Sequence, residues 1–140
     1  MGYRSQVAFV IRGDEEEMIP LIMSYRMTYK DSKEAKTALD SCTYRKSSKS
    51  ITIRFYDESI KWYDSFEGVQ ALTELFDHFQ ETAETDGSSI SGRMLRIGED
   101  DSDVESSGYG ADYWDLVYMN RSIEIDCAEG GDLESIVGTT

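Results

Sequence analysis

The chain has 140 residues, with 28 Asp and Glu against 14 Lys and Arg, which gives a net charge of −14 at pH 7. The charge is one-sided, because residues 1–56 carry ten Lys or Arg against seven Asp or Glu, whereas residues 57–140 carry four against twenty-one. Such a field repels nucleic acid and anionic membranes and attracts a basic partner, and this length suits one domain. No apolar stretch approaches the roughly 20 residues of a membrane-spanning helix, so we expect no membrane partner.

The first elements are a strand and a helix. Residues 5–12 are apolar and rich in β-formers, which predicts an interior strand that ends at Gly13. Asp14 is the expected N-cap of a helix that reaches about Tyr29, with three glutamates in its first turn. Pro20 predicts either a later start of this helix or a kink. The apolar stripe of the helix is Met18, Ile22, Tyr25 and Tyr29.

The middle of the chain predicts a short helix and a hairpin. Residues 30–49 are rich in Lys and Ser, and they offer a short helix over residues 33–39. Apolar and polar side chains alternate over residues 51–56, which predicts a half-buried strand. A turn at residues 57–59 then predicts a hairpin whose second strand covers residues 60–63.

The acidic half predicts a second main helix and two strands. Asp64 or Ser65 is the expected N-cap of this helix, and its apolar stripe is spaced by three and four residues. A strand is predicted over residues 93–97, a long acidic loop over residues 98–112 and a last strand over residues 116–126. The stripe consists of Val69, Leu72, Phe76 and Phe79.

Together these elements predict an α+β fold. We expect an antiparallel or mixed sheet of about five strands with the two main helices on one face, because strands outnumber helices and hairpins are present. A ferredoxin-like βαββαβ core with an extra strand fits this order. Residues 1–128 are predicted to form a single domain, and the glycine-containing residues 129–140 a flexible C-terminal tail.

Aromatic residues interleaved with acids indicate a partner-binding surface. Carboxylates attract Lys and Arg, and aromatic side chains supply area that is desolvated on binding. The predicted partner-binding residues are Glu99, Asp100, Asp101, Asp103, Glu105, Asp112, Tyr113, Trp114 and Asp115. Further acids expected to contribute are Asp57, Glu58, Glu74, Asp77, Glu81 and Glu84. The alternative is that the aromatics cover the sheet edge and the acids form a solvated loop.

The sequence predicts no catalytic, metal or cofactor site. The spacing of acids over residues 101–112 approaches that of a calcium loop, but Ser106 stands where that loop needs glycine, and Asp112 is too short for its last position. Nothing orients the single histidine, His78, as a general base, and no phosphate-binding motif is present. We therefore expect a protein that is not an enzyme.

A small basic patch in the first half raises the question of self-association. Its cations are Lys30, Lys33, Lys36, Arg45, Lys46 and Lys49, with acids mixed among them. Because the global field is strongly negative, we expect no direct binding of nucleic acid. The basic segment of one copy can instead meet the acidic face of another, which would give a homodimer.

Four stretches are similar to segments of a family of small tailed-phage proteins. They are MGYRSQV at residues 1–7, KWYDSFEGV at residues 61–69, RIGED at residues 96–100 and RSIEI at residues 121–125. The resemblance implies a phage origin and the host bacterial cytoplasm as the compartment. Small acidic phage proteins often bind and inhibit a host protein, so the resemblance implies that class of function and no catalytic residue.

The leading interpretation is a phage accessory protein whose acidic surface mimics nucleic acid. It would bind a host nucleic-acid-binding protein in its basic groove, as an inhibitor active in host takeover or against host defence. One alternative is a structural or self-assembling phage protein whose acidity serves solubility. Another is a small-molecule-binding protein or unrecognised enzyme with a pocket between sheet and helices.

Overall fold

The computed structural model describes residues 3–100, 102–119, 123–125 and 131–137. The strands are β1 (Ser5–Asp14), β2 (Thr43–Ser47), β3 (Ser50–Ile60), β4 (Ser91–Ile97), β5 (Val104–Tyr109), β6 (Val117–Met119) and β7 (Ile123–Ile125). The helices are α1 (Glu15–Thr28), α2 (Lys33–Asp40), α3 (Glu67–Asp77), α4 (Gln80–Ala83) and α5 (Glu134–Val137), and a 3₁₀ turn covers Tyr113–Asp115.

Five strands form one antiparallel sheet in the order β2-β3-β1-β4-β5. The first four strands, with α1 after β1 and α3 after β3, have the element order and strand order of a ferredoxin-like βαββαβ unit. Strand β5 extends this unit at the β4 edge. The predicted α+β fold, with an antiparallel sheet of five strands, is confirmed.

The main helices cover one face of the sheet. Alternate β1 residues point toward them, and the ring of Phe9 lies 5.4 Å from that of Phe55 on β3 and 5.5 Å from that of Phe76 on α3. Met18 and Ile22 of α1 are fully buried in the same cluster. The predicted placement of both main helices on one face is therefore confirmed.

A smaller apolar layer covers the opposite face, which the sequence did not predict. Ala8, Val10 and Leu95 point to this side, where Leu116 and Val117 bury them. The hairpin of β6 and β7 contacts β1 there. Because both faces of β1 are covered, its residues 7–11 are all fully buried, as expected for a central strand.

The predicted hairpin turn at residues 57–59 is wrong. Strand β3 continues through these residues to Ile60, because it stays paired with β1 as far as Ser5. The hairpin lies earlier, between β2 and β3, where Ser48 adopts a left-handed conformation with φ of 57°. The sequence did not predict strand β2 because Tyr44 is its only buried residue, so its side chains show no alternation of apolar and polar positions.

The predicted long loop over residues 98–112 is also wrong. It contains β5, which pairs with β4 along its whole length and ends on the buried Tyr109. The last predicted strand, residues 116–126, is instead the two short strands β6 and β7, and residues 120–122 and 126 lie outside the described part of the chain.

Several element ends differ from the prediction. Strand β1 does not end at Gly13 but continues to Asp14. The glycine allows close packing against Ile90, because a Cβ atom at position 13 would lie 2.7 Å from the Ile90 side chain. Helix α1 begins at Glu15 and contains Pro20, so the later start is wrong. The residue at the N-cap position of α3 is Phe66, which makes no side-chain capping bond, so the predicted cap at Asp64 or Ser65 is wrong.

Part of the stretch predicted as a tail is docked on the sheet. The backbone of Gly131 exchanges two hydrogen bonds with that of Tyr44 on β2, both at 2.8 Å. Leu133 and Ile136 are buried in the core on the helical face. Residues 129, 130 and 138–140 lie outside the described residues.

Candidate functional site

The structure divides the predicted partner-binding residues between two places, and the first is organised around Arg96. This residue is 9% exposed, and its guanidinium donates to both carboxylate oxygens of Asp103 at 3.1 and 2.6 Å. It also donates to Glu105 at 2.5 Å and to the Ser5 hydroxyl at 3.0 Å. Arg96 and the Tyr3 hydroxyl hold the pKa of the Asp103 carboxyl below its ordinary value. Asp103 and Glu105 thus pair with Arg96 of the same chain, so their charge is already compensated in part within the fold.

The rest of this loop is held by the N-terminal segment. The Tyr3 hydroxyl donates to Asp103 at 2.8 Å and accepts from the backbone N–H of Asp100 at 3.0 Å. The backbone N–H of Arg4 donates to the carboxylate of Glu99 at 3.0 Å. Glu99 and Asp100 remain exposed, so they can meet a partner while these hydrogen bonds hold them in place. Asp101 lies outside the described residues.

The second place is the opposite face of the sheet, where Trp114 makes several side-chain contacts although it is 59% exposed. Its ring stacks on Tyr113 with centroids 4.6 Å apart, and the Arg93 guanidinium lies 4.6 Å from its centroid. Arg93 also donates to the carbonyl oxygen of Trp114 at 2.9 Å. The exposed Asp112 and Asp115 flank the two rings. We call Asp112, Tyr113, Trp114 and Asp115 the Trp114 patch.

A third acidic feature lies on α3 and α4. Exposed carboxylates recur there at intervals of three, four and seven residues, which places them along one side of a helix. Helix α3 ends at Asp77 and α4 begins at Gln80, and the two residues between them keep right-handed dihedrals, with φ and ψ of −57° and −28° at His78 and of −91° and −10° at Phe79. We call these residues the acidic stripe: Glu67, Glu74, Asp77, Glu81 and Glu84.

The acidic stripe has no cation within its own helices. No lysine or arginine occurs between Lys61 and Arg93, so no helical neighbour of the stripe is basic. From Glu67 to Glu84 the helical rise gives a length of about 25 Å, or one carboxylate per about 6 Å. A strand of duplex DNA carries one phosphate per about 3.4 Å of helix axis. The stripe therefore has roughly half of that linear charge density.

The loop that carries Glu99 and Asp100 lies near the N-terminal end of this stripe. The backbone N–H of Tyr3 donates to the Tyr63 hydroxyl at 2.6 Å. Tyr63 in turn packs edge-on against Phe66, the residue before α3, with ring centroids 5.0 Å apart. Since Tyr3 also binds Asp103, these contacts connect the loop of Glu99 and Asp100 to the start of the stripe.

One polar contact between helices was missed by the sequence reasoning. Nε2 of His78 lies 2.9 Å from the Ser24 hydroxyl and 2.9 Å from the Leu21 carbonyl oxygen. In the tautomer that carries its proton on Nε2, His78 donates to this carbonyl, and the Ser24 hydroxyl donates to the same oxygen at 2.9 Å. Nε2 is then no base toward Ser24, and the contact joins α1 to the end of α3.

Within the described residues, no group of three or more His, Cys, Asp or Glu side chains is placed to hold a metal ion. None of the helices in that part of the chain is long and apolar enough to cross a membrane. Comparison with known proteins adds no relative: no protein-family model, no curated protein and no solved structure matches this chain.

Proposed function

We propose that the protein binds a basic protein through the acidic stripe together with the loop of Glu99 and Asp100. The observation that carries this proposal is the row of exposed carboxylates on α3 and α4, which has no cation between Lys61 and Arg93. A surface of this kind complements a groove lined by Lys and Arg on a partner protein. Its negative charge would speed association with that groove, and it would compete there with the phosphate backbone of DNA or RNA.

The energetics of the helices support a binding role for the stripe. Glu74, Asp77 and Glu81 follow one another at intervals of three and four residues, and like charges at these spacings destabilise a helix. Asp103, in contrast, is paired with a cation of the same chain, Arg96. The stripe is left with a cost to stability that a binding partner would remove.

The partner is a nucleic-acid-binding protein of a bacterial host, and binding inhibits it. The similarity of four segments to small tailed-phage proteins supports the host as the source of the partner and the host cytoplasm as the compartment. In this role the protein acts as a non-enzymatic accessory protein that occupies the groove in place of DNA or RNA.

Affinity capture from bacterial lysate tests the proposal with two matched variants. The stripe variant carries Glu74→Gln, Glu81→Gln and Glu84→Gln. The control variant changes the charge equally off the stripe, with Glu16→Gln, Asp31→Asn and Asp40→Asn, all exposed in the wild type.

The wild type and the control should capture one nucleic-acid-binding protein that duplex DNA displaces and that about 0.5 M salt elutes, since salt screens such contacts. The stripe variant should lose it. If the stripe variant retains the same partner, or if DNA does not compete for it, mimicry of nucleic acid is wrong.

A further inference from the structure

The two most exposed large hydrophobic side chains in the described residues are Met27, at 68%, and Trp114, at 59%. Neither belongs to the acidic stripe. Exposed apolar side chains beside polar residues are typical of interaction sites. The surroundings of Met27 and Trp114 show what each could contact.

Met27 borders a groove between the C-terminal half of α1, α2 and Leu133, with a volume of about 470 Å³. This volume lies in the range of ligand-binding cavities, about 300–1,000 Å³. Its apolar walls are Met23, Tyr25, Met27, Tyr29, Leu39 and Leu133. Its charged residues are the cations Arg26, Lys30 and Lys36 and the acid Asp40. We call it the basic groove.

The Trp114 patch complements this groove in both apolar character and charge. An aromatic ring needs an apolar cavity, and the carboxylates of Asp112 and Asp115 beside it need cations. The basic groove supplies apolar walls with Lys30 and Lys36 among its lining residues. Tyr113 and Arg93 already fix the Trp114 ring, so binding it costs less conformational entropy.

A copy of the protein cannot fill its own groove with Trp114. Trp114 is held by Arg93 of β4, on the sheet face away from the helices, near the β4–β5 edge. The groove lies on the helical side, next to Leu133 and α5, and α5 packs against β2 at the other edge. Five strands at about 4.8 Å spacing separate these edges by roughly 19 Å. If Trp114 fills a basic groove, that groove must therefore belong to another copy of the protein.

We propose that Trp114 of one copy inserts into the basic groove of a second copy. The two surfaces are different, so the interface is head-to-tail, and it forms a ring if its rotation closes and a chain of copies if it does not. This self-association goes beyond the proposed function, because it uses the Trp114 patch and the basic groove and leaves the acidic stripe free.

Two variants with matched controls remove one side of the interface each. Trp114→Ala removes the inserted side chain, and its control Phe66→Ala removes an aromatic that is 44% exposed elsewhere. Lys30→Glu with Lys36→Glu reverses the groove charges. Its control, Lys33→Glu with Lys49→Glu, makes the same change in net charge outside the groove.

Sedimentation equilibrium should show that the mass of the wild type rises with concentration above the 15.9 kDa of one chain. Each interface variant alone should associate at least about tenfold more weakly, as expected for loss of an aromatic anchor or its pocket, while both controls behave as the wild type. Circular dichroism melts verify that every variant is folded.

Mixing the two interface variants is the decisive measurement. Trp114→Ala keeps an intact groove, and the groove variant keeps Trp114, so the mixture should form a species of twice the chain mass and nothing larger. A wild type that stays at 15.9 kDa, or a mixture that does not associate, overturns the proposal. Loss of partner capture by the stripe variant has no bearing on these masses, so the two proposals fail separately.

Discussion

Removing charge from the acidic stripe should stabilise the folded protein. Three like-charge neighbours occur along α3 and α4, namely Glu74 with Asp77, Asp77 with Glu81, and Glu81 with Glu84. The double substitution Glu74→Gln with Glu81→Gln removes all three, at about 0.2–0.5 kcal/mol each, or about 0.6–1.5 kcal/mol together. Glutamine and glutamate have nearly equal helix propensity, so the gain reports charge. For a chain of this size we expect the melting temperature to rise by about 2–5 °C.

The assay is urea denaturation at about 0.02 M and 1 M salt, because the screening length falls to about 3 Å at 1 M. The stabilisation should be largest at low salt and should shrink at 1 M. Glu16→Gln is the control, since Glu16 is exposed in the first turn of α1, where the helix dipole favours a negative charge. This control should lose about 0.3–1 kcal/mol at low salt.

Two results would refute this reasoning. A double variant no more stable than the wild type would mean that the stripe carboxylates are already compensated. A gain of equal size at both salt concentrations would mean that it does not come from charge. Either result would remove the energetic argument for a binding role of the stripe.

Two further predictions concern contacts that join the layers. Hydrogen bonds from Ser89 and Ser88 lower the pKa of Glu17, so this carboxylate stabilises the fold above its unfolded pKa and loses that effect as pH falls through the lower folded value. In urea titrations, the wild type should therefore have a larger free energy of unfolding than Glu17→Gln at pH 6, and this difference should disappear below about pH 4. A difference that stays constant with pH would contradict the prediction. Tyr109→Phe removes a 2.6 Å hydrogen bond to the Phe76 carbonyl and should cost about 1–2 kcal/mol in thermal unfolding, and an unchanged stability would show that the bond contributes nothing.

Elements set by local chemistry were predictable from the sequence. The short helix expected over residues 33–39 forms as α2, because the Ser32 hydroxyl caps it by accepting from the Ala35 N–H at 3.1 Å. The apolar stripe of α3 follows helical periodicity, and Val69, Leu72 and Phe76 are buried as that spacing requires. These features depend on residues within one or two turns of one another.

Strand β5 escaped prediction because its cause lies in other elements. Its sequence, VESSGY, has no alternation of apolar and polar residues, and its first four residues are exposed. Strand β5 is held by its pairing with β4 and by the ring of Tyr113, which packs directly over Gly108. A Cβ atom added to Gly108 would lie only 2.2 Å from this ring, so a larger residue would not fit. No local pattern records either contact.

The same register explains why the predicted site divides into two. In the β4–β5 pairing Arg96 lies opposite Glu105, so the hairpin brings one cation against the densest run of acids. The sequence shows both residues, but without β5 it gives no reason to pair them. Tyr113 and Trp114 are near in sequence to this run, yet they pass to the other face of the sheet, where Arg93 holds Trp114.

The distribution of compensated and uncompensated charge separates the two proposed associations. Arg96 pairs with Asp103 and Glu105 and Lys46 binds Glu15 at 2.8 Å, whereas α3 and α4 carry no cation. Salt should weaken both capture of a basic protein and self-association, because both pair opposite charges. Duplex DNA distinguishes them, because it competes with the stripe for a basic partner, whereas an acidic protein that repels DNA keeps its own interface. If the two surfaces are independent, adding duplex DNA should therefore abolish capture of the basic partner and leave self-association unchanged.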